Sequence, residues 1–284
     1  METKMKKETR FPTVAEIVEE IDAAVPNALQ EEWDNSGFLL GVKEMPVRKI
    51  LTCLEINEDV IGEAAQLGAE LIVTHHPLIF EGMKQIRDDD YHGRLVMELL
   101  AQGISVYSCH TPFDKVKGGN NDVLMKRLGL TGIKNLKGDD VESMGKMVEK
   151  QDPADIGRIG KFKKPYSFMQ VIDLVSKELE VSLRQMRAVG QLDAEISTVG
   201  VCTGAGAEFL EMAKDSGCQL FITGDVKYHE AQMARGLDIC LLDAGHYHTE
   251  KFFSEAMKAL LEKKLDGDME IVASATDLDP FAIL

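Results

Sequence analysis

Residues 49–77 read KILTCLEINEDVIGEAAQLGAELIVTHHP, and this stretch decides the fold. Its opening apolar run, 49–54, predicts a strand. Residues 58–66 predict a short helix, closed by Gly68 just past its end. Leu71, Ile72, Val73 and Thr74 form an apolar run too short for a helix and without alternation, the pattern of a parallel strand buried on both faces. Strand, helix and strand at this spacing make a βαβ unit. The unit recurs 149 residues later. Without a gap, Cys53 meets Cys202, Ala64 meets Ala213, Gly68 meets Gly217, Leu71 meets Leu220 and Thr74 meets Thr223. A second match, at a shorter spacing, sets Gly103-Ile104-Ser105-Val106 against Gly236-Leu237-Asp238-Ile239. The expected fold class is α/β, two related α/β halves from an internal βαβ duplication.

Other elements are placed around this unit. Residues 13–29 predict an amphipathic helix with Val14, Ile17, Val18 and Ile21 on one face and Thr13 as N-cap. Strands are expected at 38–41, 104–108, 220–223, 239–242 and 269–273, and helices over 167–179 and 249–264. Residues 130–165 hold Gly132, Lys137-Gly138-Asp139-Asp140 and Asp152-Pro153-Ala154-Asp155, and the boundary between halves is placed there. The expected domains are 1–130, which 265–284 can rejoin, and 131–264, with no inserted domain.

Composition narrows the function. The 284 residues are 44% hydrophobic and 28% charged, ordinary for a globular chain. No run approaches the ~18 apolar residues that span a bilayer. Lys+Arg is 32 against Asp+Glu 48, a net charge of −16. Such a surface repels phosphate backbones and anionic membranes, so no nucleic-acid or membrane partner is expected. The first ten residues precede no apolar segment, so no secretory signal is read there. The cysteines number five and never fall in C-x-x-C spacing, as expected for buried thiols in a reducing cytoplasm. A small anionic substrate would need a local positive centre, and a bound metal supplies one.

The histidines show where that centre lies. His75-His76 directly follow the strand 71–74 and precede Pro77. Ligands of open α/β sheets bind beyond the carboxyl ends of strands. Neighbouring strand residues point to opposite faces, so two adjacent imidazoles chelate one ion poorly but can each serve a different one. The strand 104–108 runs into Cys109-His110-Thr111-Pro112-Phe113-Asp114, which brings the Asp114 carboxylate to the same rim; alone, it would read as a turn or cap residue. His110 lies nearer the strand body and reads as a supporting or structural residue. In the second half, His246 and Glu250 are four apart and share a face at a helix start, while His248 points away. Asp225 and His229 follow the strand 220–223 and could face the same cavity as proton-transfer groups or substrate contacts; turn and cap roles compete with that reading. The glycines of Cys202-Thr203-Gly204-Ala205-Gly206 could cradle a phosphate or serve as turn residues. His75, His76, Asp114, His246 and Glu250 are too many ligands for one catalytic ion and suit two ions sharing a carboxylate, with the metal site between the two halves. Their nitrogen and oxygen donors suit Zn, Fe, Mn, Co or Ni.

The phrases EEWDNSGFLLG, LIVTHHPLIF, YSCHTPFDKVKGGNN, IGRIG, TGDVKYHEA, DAGHYHTE and DLDPF resemble the Ngg-interacting-factor-like family, often called GTP cyclohydrolase 1 type 2 homologs or dinuclear metal-centre proteins. The likeness runs from about Val14 to Phe281. It implies two metals on His75, His76, Asp114, His246 and Glu250, the set just read. It also implies a ring-shaped homohexamer. The expected function is a cytoplasmic metal-dependent hydrolase with a dinuclear centre. If the label holds, the substrate is GTP or another nucleotide, its purine ring opened by water that the metals activate, with Asp225 or His229 moving protons. The alternatives are a two-metal nucleotide phosphoesterase and a non-enzymatic metal-binding assembly protein.

Overall fold

Apolar residues alternate between two faces along each short strand, and that alternation sets the layers. The computed structural model describes residues 10–137, 156–265 and 269–283. Its strands are β1 (Gly37–Leu40), β2 (Lys49–Cys53), β3 (Leu71–Thr74), β4 (Ser105–Ser108), β5 (Thr131–Asn135), β6 (Arg158–Ser167), β7 (Arg187–Val189), β8 (Glu195–Val201), β9 (Leu220–Thr223), β10 (Cys240–Asp243) and β11 (Glu270–Ala273). One sheet has the order β1-β4-β3-β2-β11, the other β5-β6-β8-β9-β10-β7. β4, β3, β2 and β11 are parallel, and so are β8, β9 and β10; the remaining pairings are antiparallel.

In the first sheet, Ile50, Val73 and Tyr107 face a core shared with the helices Val14–Ala24 and Phe253–Lys264. Leu51, Ile72 and Val106 face the helices Glu58–Leu67 and Tyr91–Gln102. The second sheet is covered in the same way. The helices Asn120–Arg127 and Phe168–Leu179 lie on one side, and Leu210–Asp215 and Tyr228–Gly236 on the other. The protein is thus two related α/β halves. Their shared unit is visible in the pairing: β3 against β2 and β4, β9 against β8 and β10, each closed by a buried threonine, Thr74 or Thr223.

Several expectations are corrected. The 13–29 helix ends at Ala24, because Pro26 cannot continue it, and resumes as a single 3-10 turn, Asn27–Leu29. The match of Gly103–Val106 to Gly236–Ile239 is displaced. Leu71 pairs with Ser105 and Leu220 with Cys240, so Ser105 corresponds to Cys240, not Asp238. The helix expected over 249–264 is two helices, His246–Glu250 and Phe253–Lys264. The boundary zone contains β5 and the ten-residue β6, while residues 138–155 lie outside the described residues.

The division at 130 and 264 also gives way. Helix Asn120–Arg127 buries Leu124 and Met125 in the second core, and helix Phe253–Lys264 buries Phe253 and Met257 in the first. Each repeat therefore sends its last helix onto the other repeat's sheet, and β11 follows to pair with β2. Just before each crossing stands a five-residue helix at the carboxyl end of a strand: Thr111–Lys115 after β4 and His246–Glu250 after β10.

Candidate metal centre

The two short helices face each other across the boundary between the halves, and each delivers a buried carboxylate. Asp114 comes from the first and Glu250 from the second. The end of β3 supplies His75 and His76. Glu250 is the hub. Its Oε2 lies 3.1 Å from His76 Nε2 and 3.0 Å from His246 Nε2, and its Oε1 lies 3.6 Å from His75 Nε2. His75 Nε2 is also 3.7 Å from Asp114 Oδ2. The donor atoms of His75, Asp114 and Glu250 lie within 4.8 Å of one another, and so do those of His76, His246 and Glu250. In these two trios the adjacent imidazoles are separated and one carboxylate is shared; a third trio joins His75 and His76 to His110.

The far side of each ring is held. His75 Nδ1 lies 3.0 Å from the Cys109 carbonyl, and His246 Nδ1 lies 2.7 Å from Asp225 Oδ2. With Nδ1–H donated outward in both, each Nε2 turns its lone pair inward, where that of His75 meets the Asn120 amide at 3.2 Å. The Asn120 amide donates to Asp114 Oδ1 at 2.9 Å, leaving Oδ2 turned to His75. Gly204 makes room. A Cβ there would fall 2.3 Å from Glu250 Oε1, and its φ of +67° is one that L side chains rarely adopt. The reading of Gly204 and Gly206 as a phosphate cradle fails, because the protein already occupies their N–H groups. Gly204 donates to Thr249 Oγ1 at 3.0 Å and Gly206 to Thr223 Oγ1 at 2.8 Å.

The electrostatics show what the site wants. Burial opposes ionisation of Glu250, but the charges and hydrogen bonds of His75 and His246 hold it well below the usual carboxylate range. Burial raises Asp114; His75 opposes this and the neighbouring Glu250 adds to it. Burial alone would lower the His76 imidazole, yet Glu250 and Glu55 carry it up to about 10. Burial likewise works against His246, which Glu250 and Asp225 carry up to about 9. Two buried carboxylates thus draw positive charge to the point where the Nε2 atoms converge. His76 Nε2 and His246 Nε2 are only 3.3 Å apart, a distance at which two lone pairs need a cation or a proton between them. Imidazole and carboxylate donors with this demand fit a divalent transition metal.

The remaining candidates fall into place. Asp225 reaches the cluster through His246. His229 does not join it: it sits on helix Tyr228–Gly236, exposed, with the Tyr228 ring beside it. The two do not share the cavity. His248 turns to Asp279, 3.4 Å away. His110 is held through Nδ1 by Asp34 Oδ1 at 2.8 Å, and its ring stands edge-on to His75 and His76. Asp34 is a buried anion that also accepts from the hydroxyls of Ser36 and Thr111. Burial works against its charge, but these donors hold its carboxyl far below its ordinary value.

Sequence reasoning missed Asp34, Asn120 and Asn121. Asn121 donates to the carbonyls of Asp114 and Ile156 and accepts from Thr203 N–H, tying the Asp114 helix to the start of β6 and the end of β8 in the second sheet. The signal available was the paired asparagine at a helix start after Gly118-Gly119. The cluster opens onto a cavity of about 1250 Å³ whose lining includes His76, His110, Asp225, His246, Arg184 and the C-terminal stretch around Phe281. All five cysteines are buried and free. Among the described residues, no helix is long and apolar enough to cross a membrane.

Comparison with known proteins covers the whole of this architecture. Residues 12–280 match the model of the Duf34/NIF3 (NGG1p interacting factor 3) family. A Clostridium perfringens protein named GTP cyclohydrolase 1 type 2 homolog is 34% identical over 269 residues, 95% of this chain and 98% of its own. NIF3-like protein 1 of Drosophila melanogaster is 30% identical over 94% of this chain and 88% of its own. Among solved structures, a Bacillus cereus protein related to NIF3 superposes with a TM-score of 0.86 at 25% identity, covering 97% of this chain and 100% of its own.

Proposed function

The chain belongs to the Duf34/NIF3 family, and from that premise we propose that it is a metal-dependent hydrolase in which His75, His76, Asp114, His246 and Glu250 hold two divalent transition-metal ions. The observation that carries this reading is the position of Glu250, shared between the His75–Asp114 and His76–His246 pairs. A pair of such ions supplies Lewis acidity, which acidifies water and neutralises negative charge developing on a substrate.

The chain's own groups prepare the site. The Cys109 carbonyl and the Asp225 carboxylate fix the tautomers of His75 and His246. Asn120 sets the Asp114 carboxylate. Asp34 fixes the His110 ring at the cavity wall, where a substrate would contact it. The cavity has room for a nucleotide. The name shared by bacterial relatives supports a purine nucleotide as substrate. The proposed reaction is of the GTP cyclohydrolase 1 type 2 kind: one water adds to the imidazole carbon of the guanine ring and one C–N bond breaks to open the ring as a formamide, and a second water breaks the remaining C–N bond to release formate and leave an amine. Assembly into a homohexamer is part of the proposal. The exposed Met97 and Leu100, neighbours on one helix face, support an associating surface.

The test is product analysis on purified protein loaded with Zn²⁺, Mn²⁺ or Fe²⁺ and given GTP. Formate supports ring opening, and free phosphate without formate would move the reading to a phosphoesterase. Both should vanish in His75→Ala and Glu250→Gln. Fewer than one ion per chain, or product unaffected by either variant, overturns the proposal.

A further inference from the structure

Two large exposed side chains touch each other beside the metal-ligand cluster. Trp33 is 54% exposed and Phe80 48%, with ring centroids 6.1 Å apart and planes tilted by 39°. His110 completes the group, 5.8 Å from Trp33 and 6.4 Å from Phe80, edge-on to both. The same imidazole stands 5.0 Å from the His75 ring and 5.6 Å from that of His76. A run of rings therefore leads from the cluster out to solvent, and Phe80 and His110 line the large cavity.

These rings are held in place. Asp34, next to Trp33, is fixed by five donors: His110 Nδ1, the Ser36 hydroxyl, the Thr111 hydroxyl and N–H, and the Asn35 N–H. Asn35 donates to the Ile79 carbonyl, which ties the Trp33 loop to the Phe80 loop. Glu31 N–H donates to Thr111 Oγ1 at 3.0 Å. Two separate loops are thus locked so that two aromatic side chains stay partly in water, against the hydrophobic preference of both. A rigid, exposed aromatic pair contiguous with a reactive centre is what a flat ring ligand requires, since stacking rewards a preorganised surface. Arg184, on the same cavity, has no ion pair among the described residues and can meet an anionic group on that ligand.

We propose that Trp33 and Phe80, with the edge of His110, form a clasp for a flat heteroaromatic ring on the substrate, and so set which of its atoms lie at the Glu250 cluster. The assignment rests on that cluster being the substrate centre, so ring binding and metal loading are measured separately. Trp33 is the single tryptophan of the chain, which makes intrinsic fluorescence a reporter of the clasp itself. The full-length chain, metal-free and Zn²⁺-loaded, is titrated with GMP and with ribose 5-phosphate, which shares the sugar phosphate but lacks the ring. GMP should quench or shift the emission and bind more tightly than ribose 5-phosphate. Phe80→Leu should weaken GMP about 5- to 100-fold, the range of one stacking contact, with zinc content and far-UV spectrum unchanged. Calorimetry on Trp33→Leu should show a similar loss. Equal affinity for the two probes overturns the clasp. So does Phe80→Leu that alters oligomeric state while GMP affinity stays, because the rings would then be a subunit contact. Ring binding without stoichiometric metal leaves the clasp standing and removes the hydrolase reading; metal without ring binding does the reverse.

Discussion

Glu250 meets three imidazoles through two oxygens, and it can do so only because Gly204 has no side chain. Gly204→Ala should therefore act twice. Forcing a non-glycine residue to a φ of +67° costs about 1–2 kcal/mol, and the new methyl pushes Glu250 away from its partners. The expected outcome is a loss of about 1–3 kcal/mol in urea unfolding of the metal-free chain, with bound metal per chain reduced as well. Wild-type metal content in that variant would show that Glu250 is not the shared ligand. The five candidate ligands were legible in the sequence because each follows an apolar strand, where polar residues of that kind have no packing role. Asp34 and Asn120 were not. Asp34 meets His110 across 76 residues, and Asn120 earns its meaning from the rotamer of Asp114. Neither relation has a local pattern.

At the scale of elements, β11 is fastened to the first sheet by a carboxylate on a helix. Glu63 accepts from the Ser274 and Thr276 hydroxyls and from Ala275 N–H. Burial works against its charge, but these hydrogen bonds outweigh burial and hold its carboxyl below the ordinary value. The folded pKa is depressed, so this stability is fully present above the unfolded glutamate pKa of about 4.3 and is lost as pH falls through the lower folded value. Glu63→Gln should cost about 1 kcal/mol at pH 7, the figure for a partly exposed, screened set of hydrogen bonds. The difference from wild type should shrink below pH 4. Thermal melts from pH 7 to 3 decide it, and a penalty that stays constant across that range rules the linkage out. The four-residue strands β3 and β9 could be read from the sequence because both faces are buried and their composition is unbroken. β6 could not. Arg158, Gly160 and Phe162 turn inward while Lys161, Lys163 and Lys164 stay exposed, and an inward arginine and glycine carry no strand signal. The buried Arg158 has a partner there, Asp122, at 2.7 Å.

For the whole molecule, the duplication was legible, and the exchange of helices between halves was not. Nothing in the 3.6-residue period of 253–264 says which sheet it covers. Yet the exchange places the site. Asp114 and Glu250 stand where the chain crosses from one half to the other, and the ligands bind the crossings together. Metal should therefore stabilise the fold as a whole. A ligand that binds only the folded state adds about 2.7 kcal/mol at a free concentration of 100 times its dissociation constant. For a chain of this length that shifts the melting temperature by about 5 °C or more. Calorimetry of chelator-treated protein, then of the same sample with Zn²⁺ restored, should show this increment on one cooperative transition. Because His76 and His246 are raised to about 10 and about 9, metal must displace protons from them, so the increment should fall as pH is lowered from 9 to 6. Glu250→Gln removes the shared carboxylate and should melt at one temperature with or without zinc. His246→Ala leaves the His75–Asp114–Glu250 trio and should keep part of the increment. If His246→Ala and Glu250→Gln lose it equally, the two trios act as one site and the shared-carboxylate arrangement is wrong. If zinc instead splits the transition in two, the metal stabilises one half only, and the link between the crossings fails.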